Sequence, residues 1–458
     1  MLLENTLKGK VNNSEFYKVL GRLALPIIIQ NFITAFLNMV DTVMVGKLGE
    51  VEIASVGVAN QYFFFFNLLA LGISSGGGIF ISQFWGKRDE KNIRKILGVN
   101  VIAGVTISLL MTLIALLMPE TIISLFNKDP QVIHFGAKYL KTIAISYILT
   151  AITLAYSISL RCIGEAIIPM AISGIALITN IFFNYGLIFG NFGLPALGVK
   201  GAALATVIAR LVECVALLIY VYSKKGVLAA SIKEMTDINM KFINKIYRTI
   251  ASVLFNEACW GLAMVMYAAI YGRIGTKAIA SIQICTTVQN LFMVVTLGVA
   301  NASAVMIGNK IGEGKEEEGK EYAKKFTKMG IILGIILGVS MAISAPFILN
   351  LFNVSQEVMR SSLLILYITS IIMVMRVFNA VMIVGVLRGG GDAKYALISE
   401  AVTMWLVGLP LTLIAAFIIK LPVYVVAGMA GIEEFGKFIL SYKRVKSNKW
   451  IKNVIYNL

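Results

Sequence analysis

Five stretches of this chain carry no charged residue: Ile53–Gly86, Ile96–Met118, Ala166–Val199, Ala278–Asn309 and Met329–Gln356. Each exceeds the roughly 20 residues that a helix needs to cross a bilayer. Backbone amides in lipid have no water to bond to, so such runs must be helices or strands of a closed barrel. Barrel strands alternate polar and apolar with a period of two, and these runs do not. Composition agrees, with 58% hydrophobic and only 14% charged residues, against about a quarter charged in a soluble domain.

The pattern predicts an all-α integral membrane protein with twelve spans. They fall at about 20–45, 53–84, 96–118, 138–160, 167–190, 199–222, 248–271, 279–308, 328–350, 360–386, 395–418 and 421–442. The twelfth is interrupted by Glu433 and Glu434, but charge placement argues for it. Lys and Arg collect on the cytoplasmic side of short loops. With twelve spans, thirty of the 41 basic residues lie on the side of the two termini and nine on the other; Arg210 and Arg376 lie within spans. Deleting the twelfth span would move the basic tail across. Both termini are therefore expected in the cytoplasm, with the chain in the cell membrane. The first 18 residues are polar and of mixed charge, unlike a signal peptide, so the first span should be retained.

The net charge of +17 resides in loops between apolar runs. A nucleic-acid reader would gather it on a soluble face, so no nucleic-acid partner is expected. The four cysteines, Cys162, Cys214, Cys259 and Cys285, are scattered without a CxxC pair and read as small apolar fillers.

The chain also repeats itself. Val45–Ser55 aligns with Tyr271–Ser281, 226 residues later, with five of eleven positions identical. Leu125-Phe-Asn127 returns as Leu351-Phe-Asn353 at the same offset, and Leu160-Arg-Cys-Ile-Gly-Glu-Ala166 as Leu387-Arg-Gly-Gly-Gly-Asp-Ala393 at offset 227. Each half then holds six helices and enters from the same side. Two six-helix lobes related by a pseudo-two-fold axis along the membrane normal follow, with the pathway between them. The expected organisation is an N-terminal lobe at 1–222, a cytoplasmic linker at 223–247, a C-terminal lobe at 248–442 and a basic cytoplasmic tail at 443–458. Such a plan suits alternating access.

Ionisable groups inside spans are costly, roughly 2.5–3.5 kcal/mol each at a helix centre on insertion scales, and so point to function. Asp41 lies late in the first span among mostly apolar neighbours. Burial favours its neutral acid and a bound cation favours its carboxylate, which is the competition that ion exchange needs. The plainer alternative is an interfacial carboxylate capping nearby backbone. Glu257, in the seventh span, falls opposite Asn31 at offset 226. With Gln30, these two are candidates for a substrate or proton pathway. Arg210 and Glu213 can pair on one helical face; Arg376 has Glu400 or Glu433 as possible partners. Asn180 and Asn184 share a face of the fifth span and Thr206 lies in the sixth. Their oxygens suit sodium or a polar substrate, or equally interhelical hydrogen bonds. Gly76-Gly-Gly78 is not followed by GK[ST], so it reads as close packing rather than a phosphate loop. His134, the only histidine, reads as a surface residue, and Pro26 should let the first helix bend.

Several of these pieces together resemble the multidrug and toxic compound extrusion family. They are Leu25-Pro26 with Asp41-Thr-Val-Met-Val-Gly46, the two Leu-Arg stretches, Gly201-Ala-Ala-Leu-Ala-Thr206, Asn256-Glu-Ala-Cys-Trp260 and Gly308-Asn-Lys-Ile-Gly312. The resemblance implies a transporter and not an enzyme, with no cofactor, that exports amphipathic, often cationic small molecules in exchange for H+ or Na+. In similar transporters an aspartate of the first helix binds the coupling ion, and Asp41 matches it. Asn180 and Thr206 match companion ligands of a Na+ site. Asn184 stands where an aspartate is common, which should weaken sodium binding. Glu257 matches a glutamate of the seventh helix, whereas Arg376 and Asn379 replace the acidic residue some relatives have in the tenth. A lipid-linked sugar flippase of the same broad superfamily is the alternative; Arg210 and Arg376 would suit its phosphates, and Asp41 and Glu257 would not. An intramembrane transferase would want a DDxxD-type carboxylate cluster or a histidine cluster, neither of which occurs. The sequence gives no basis for an oligomeric state.

Overall fold

The computed structural model describes residues 13–352 and 354–456, with the side chain of Lys241 excepted. Asn353, and Lys8 and Lys10 among the thirty basic residues counted on the side of the termini, lie outside the described residues. Everything regular among the described residues is helical. The long helices are α1 Asn13–Gly46, α2 Glu50–Lys87 and α3 Glu90–Leu117. After the single-turn α4 Pro119–Ser124 come α5 Pro130–Ile143, α6 Ser146–Cys162, α7 Ile167–Phe189 and α8 Val199–Lys224. The short α9 Ile232–Thr236 precedes α10 Met240–Ile274, α11 Thr276–Gly312, α12 Glu316–Leu349 and α13 Gln356–Ala380. Then follow α14 Ala393–Thr403, α15 Val423–Ala430 and α16 Glu433–Lys446. Helices α13 and α14 run on through π-type turns to Leu387 and Ile418.

Ten of these helices are long and apolar enough to cross a membrane, and the α5–α6 pair, bent by 49°, makes an eleventh span. The chain is a multi-pass membrane protein. The twelfth predicted span is the split pair α15 and α16, divided just before Glu433. Most helices outrun the predicted spans: α1 begins at Asn13, α10 at Met240 and α12 at Glu316. Charged residues end an apolar run without ending a helix, because the backbone bonds continue into water. At the α5–α6 break, the Ala144 carbonyl is taken up by Thr112 Oγ1 at 2.8 Å, one of the ways a broken helix in lipid re-satisfies its backbone.

The described residues form two compact units. One joins the chain up to Ile28 with Phe255–Leu458; the other is Ile29–Leu254. The division therefore runs inside α1, two residues after Pro26, and inside α10, rather than through the 223–247 segment. Packing explains both ends. Phe16, fully buried, lies edge-on to Tyr322 and against Phe326 of α12, with ring centroids 5.0 and 5.1 Å away. Ile250 of α10 sits against Gly76 of α2, where a Cβ would lie 2.8 Å from its Cα. Gly77 likewise makes room for Asn100 and Gly78 for Ile158 and Cys162, so the triple glycine serves helix packing. All four cysteines are free thiols, and His134 is exposed.

The sequence repeat is a repeat of backbone. Gly49 and Gly275 open α2 and α11 with φ of 154° and 149°, and Gly164 and Gly391 close α6 and the end of α13 with φ of 93° and 90°. At the latter pair the closing bonds match as well, Glu165 N to Leu160 O at 2.9 Å and Asp392 N to Leu387 O at 2.8 Å. A left-handed residue followed by a six-to-one bond is how helices end, and glycine adopts it without penalty.

In the C-terminal copy this turn is also a receptor for the tail. Trp450 is fully buried with its ring where a Cβ on Gly390 would lie, and Lys452 N donates to Gly390 O at 2.8 Å. Arg444 Nε and Lys452 Nζ both donate to the buried Asp392 carboxylate, at 2.7 and 2.6 Å. Trp450→Ala should therefore lower the thermal midpoint of the purified protein, by the equivalent of about 3–5 kcal/mol for emptying a core tryptophan site.

The 223–247 segment packs on the N-terminal unit. Ser231 and Glu234 cap α9 reciprocally, Arg94 of α3 pairs with Glu234 and Lys95 with Asp237 at 3.2 Å, and Met235 is buried over Gly98. Hydrogen bonds from the Ser231 backbone and hydroxyl, with Arg94 added, hold Glu234 down to about 2 from its ordinary 4.5. A folded value below the unfolded one stabilises docking above pH 4.5 and ceases to do so as pH falls through about 2. A fluorophore on Ile232→Cys, an exposed site, should report looser docking in Glu234→Gln at neutral pH. The two forms should converge as the pH approaches about 2.

Candidate functional site

In the N-terminal unit, α1 delivers Asp41, α7 delivers Asn180 and Asn184, and α8 delivers Thr206. The four-residue spacing on α7 puts both amides on one face, and both are fully buried. Asn184 Nδ2 donates to Asp41 Oδ1 and, at 2.8 Å, to Asn180 Oδ1; Asn180 Nδ2 reaches Thr206 Oγ1 at 3.4 Å. The structure thus brings together all four residues that the sequence singled out. One buried atom among them, Asn184 Oδ1, has no hydrogen-bond partner among the described residues. A carboxylate, two amide oxygens and a hydroxyl make an all-oxygen donor set suited to a hard monovalent cation. The orphaned amide oxygen is the feature a cation would satisfy.

Beside it runs a second chain of contacts. Arg161 Nη2 donates to Gln30 Oε1 at 2.6 Å, Gln30 Nε2 to Ser173 Oγ at 2.9 Å, and Ser173 Oγ to Glu213 Oε1 at 2.8 Å. Glu213 is also paired with Arg210 at 2.8 Å, as the i,i+3 spacing predicted. Asn31 is half-buried and belongs to neither chain.

The C-terminal unit holds two clusters. In the first, Arg388 donates to Glu257 Oε1 at 2.7 Å and to Asn256 Oδ1 at 3.1 Å, with Glu400 4.0 Å away and hydrogen-bonded by Asn256. This agrees with the register inferred from sequence. Arg161 and Arg388 correspond at offset 227, and Gln30 accepts from Arg161 and donates to Ser173 as Asn256 accepts from Arg388 and donates to Glu400, which keeps offset 226 along α1 and α10 and Glu257 opposite Asn31. In the second, Tyr267 OH donates to Glu433 at 2.6 Å and Lys437 Nζ to Glu433 at 2.7 Å. Glu434 lies 3.6 Å from both Lys437 and Arg376. Asn379 Nδ2 donates to Glu434 Oε2 at 2.8 Å and Arg376 Nη1 to Gln289 at 2.6 Å. Arg376 is thus paired with Glu434, and neither Glu400 nor Glu433 is its partner. Each of those carboxylates is engaged elsewhere, and Glu434 is the one whose side chain points across to α13.

Sequence reading missed Arg161, Arg388 and Lys437, which it counted as loop or tail charges. The repeated Leu-Arg pair and the i,i+4 spacing of Glu433 and Lys437 were the available signals.

The chain matches the MatE family description over residues 26–186 and 250–414. Similar proteins include the uncharacterized transporter YisQ of Bacillus subtilis, 25% identical over 94% of each chain. Another is a probable multidrug resistance protein NorM of Thermotoga maritima, 27% identical over 66% of this chain and 65% of that one. Among solved structures, an outward-facing multidrug resistance MATE family transporter of the MOP superfamily superposes with a TM-score of 0.85, at 18% identity, over 94% of this chain and 96% of that one. A MOP superfamily transporter from Pyrococcus furiosus, described as having a binding pocket of reversed polarity, gives 0.82 at 19% identity over the same shares. The two structures bear on the fold.

Charge count at the Asp41 cluster yields a prediction. Asn184→Asp adds a second carboxylate and should raise sodium affinity by roughly tenfold or more, because ligand charge tunes such sites. Sodium-dependent thermal shift reads it, and an unchanged sodium dependence would remove these oxygens from consideration as ligands.

Proposed function

The chain belongs to the MatE family, and we propose that it is a cation-coupled antiporter exporting amphipathic, cationic compounds by alternating access. The observation that carries this reading is the Asp41 cluster. A membrane-embedded carboxylate is bonded to an asparagine whose own buried oxygen lacks a partner, a site that a proton or Na+ would complete. Asp41, Asn180, Asn184 and Thr206 hold the coupling ion. Glu257, bridged by Arg388 to Glu400, serves the proton or substrate path, and Gln30 links Arg161 to the N-terminal chain of contacts. The relatives described as multidrug resistance proteins support export of drug-like compounds, and the basic loops support a cell-membrane location with both termini inside.

A carrier of lipid-linked sugars would need free cations for phosphate. Arg210 and Arg376, the two intramembrane arginines evident from sequence, are each paired with a glutamate, Glu213 and Glu434. That pairing favours the antiporter.

The driving force constrains the exchange. A potential of 100 mV is worth roughly 2.3 kcal/mol per charge, but swapping one proton for one monovalent cation moves no net charge. Such an exchange draws on the ion gradient alone, about 1.4 kcal/mol per pH unit.

Proteoliposomes loaded with the purified protein should accumulate ethidium when a pH gradient or a sodium gradient is imposed, one of the two sufficing. Asp41→Asn should reduce uptake to the level of empty vesicles. Movement of labelled sugar lipid without movement of dye would transfer the function to the flippase.

A further inference from the structure

The repeat assigns every residue of the Asp41 cluster a counterpart in the C-terminal unit. Counting on from the Val45/Tyr271 alignment, Asp41 corresponds to Tyr267. At the offset of 227 fixed by the Leu-Arg turns, Thr206 corresponds to Glu433 and Arg210 to Lys437. Val199/Val426, Gly201/Gly428 and Ala203/Ala430 are identical pairs around them. Asn180 and Asn184 fall on Val407 and Leu411. The carboxylate has thus moved from the first helix of the half to the last, its place is taken by a phenol, and the two amides have gone.

The contacts show what fills the counterpart. Tyr267 and Lys437 both donate to Glu433, at 2.6 and 2.7 Å, and Gly408 leaves the space in which the Glu433 carboxylate meets the Tyr267 hydroxyl. Lys437, Glu433 and Glu434 are all buried. The charges facing Lys437 are Glu433 and Glu434 from its own helix and Glu400 from α14; Arg376 from α13 takes the far side of Glu434. Glu433 and Glu434 are balanced by Lys437 and Arg376, and Glu400 adds a third carboxylate on the side of Lys437. None of its buried side-chain nitrogen or oxygen atoms lacks a hydrogen-bond partner among the described residues, in contrast to Asn184 Oδ1 in the N-terminal cluster.

We infer that Lys437 is a tethered cation: its ammonium group occupies the C-terminal counterpart of the coupling-ion site, so that a free H+ or Na+ is exchanged at the Asp41 cluster and not at Glu433. The inference rests on the reading of Asp41 as the coupling site for its contrast, but Lys437 can be tested separately. Removing the ammonium leaves Glu433 and Glu434 facing Arg376 alone, with Glu400 beside them, and adds one negative charge to the excess. That lobe then becomes a site for an external monovalent cation.

The test uses full-length protein in an Asp41→Asn background, where the N-terminal site is silent. Thermal midpoints are measured across sodium concentration and across pH. The parent should be flat in sodium, and adding Lys437→Met should create a new stabilisation by sodium or by acid, through linkage to binding. Adding Glu433→Gln to that variant restores the net charge of the parent and should abolish the new dependence. A Lys437→Met variant that folds and acquires no cation dependence overturns the inference. If Lys437→Met cannot be recovered, Glu433→Gln decides, since it keeps the Lys437–Glu434 contact. In otherwise wild-type protein it should leave the ion concentration for half-maximal transport within twofold; a tenfold shift or a loss of ion dependence would make Glu433 an exchange site and overturn the inference. Should Asp41→Asn retain the full ion dependence of wild type, the antiporter site has been misplaced. The gain on Lys437→Met still decides the role of Lys437.

Discussion

A charge held out of water must be compensated where it sits, by an opposite charge, by hydrogen bonds or by neutralisation. In this protein that requirement organises the polar interior of both units. Glu213 takes Arg210, Glu257 takes Arg388, Glu433 takes Lys437 and Glu434 takes Arg376. Arg161 and Asp41 instead have neutral amides as their bonded partners, and the amide at Asp41 carries an acceptor without a hydrogen-bond partner among the described residues. An incomplete carboxylate cluster of this kind could take up an ion and release it without the charge pairs around it having to break.

The two halves of the chain share a backbone more closely than a chemistry. Glycine torsions and helix-closing bonds agree to within a few degrees and about 0.1 Å at Gly164 and Gly391, because helix-ending geometry admits few solutions. The polar side chains hung on that backbone differ. The tail uses the difference: Arg161-Cys-Ile-Gly164 leaves the space above its turn free, whereas Arg388-Gly-Gly-Gly391 accepts Trp450. Duplication supplied the frame, and each half then placed charge on it independently.

Helix number and membrane insertion were legible because hydrophobic length has one physical reading in lipid. Asp41 was legible for the same reason, being a lone acid in an apolar helix, and so was the Arg210–Glu213 pair, since i,i+3 neighbours are fixed by helix geometry. The broken helix at Ala144 was not, as no proline or glycine marks it and the stabilising bond comes from Thr112 on another helix. Partners separated by some 130 residues, such as Arg388 with Glu257, were hidden because charge counting assigns a residue to a loop by its neighbours in sequence. An arginine at a helix end can turn its long side chain inward, and sequence does not record the direction. The repeat offset changes from 226 to 227 between motifs, and the contacts of Gln30 and Asn256 show that 226 holds along α1 and α10, with Glu257 opposite Asn31.

That register bears on how the halves divide labour. Arg161 is met by Gln30, with Ser173 next along the chain of bonds. Arg388, its counterpart, is met by Glu257, with Glu400, the counterpart of Ser173, completing the set. With Gln30 opposite Asn256 and Asn31 opposite Glu257, the same four positions carry one positive charge in excess in the N-terminal unit and one negative charge in excess in the C-terminal unit. The N-terminal excess is relayed through Ser173 to Glu213, which Arg210 already balances, so that unit has no spare carboxylate apart from Asp41. In the C-terminal unit the excess carboxylate, Glu400, faces Lys437 of the neighbouring cluster. The interior thus offers two unequal acidic positions. One is a group of oxygen donors around Asp41; the other is a carboxylate pair held apart by an arginine, with Asn256 bonded to both Arg388 and Glu400. A transporter that exchanged an ion for a cationic substrate would use both kinds, because the two would compete for negative charge without being chemically alike.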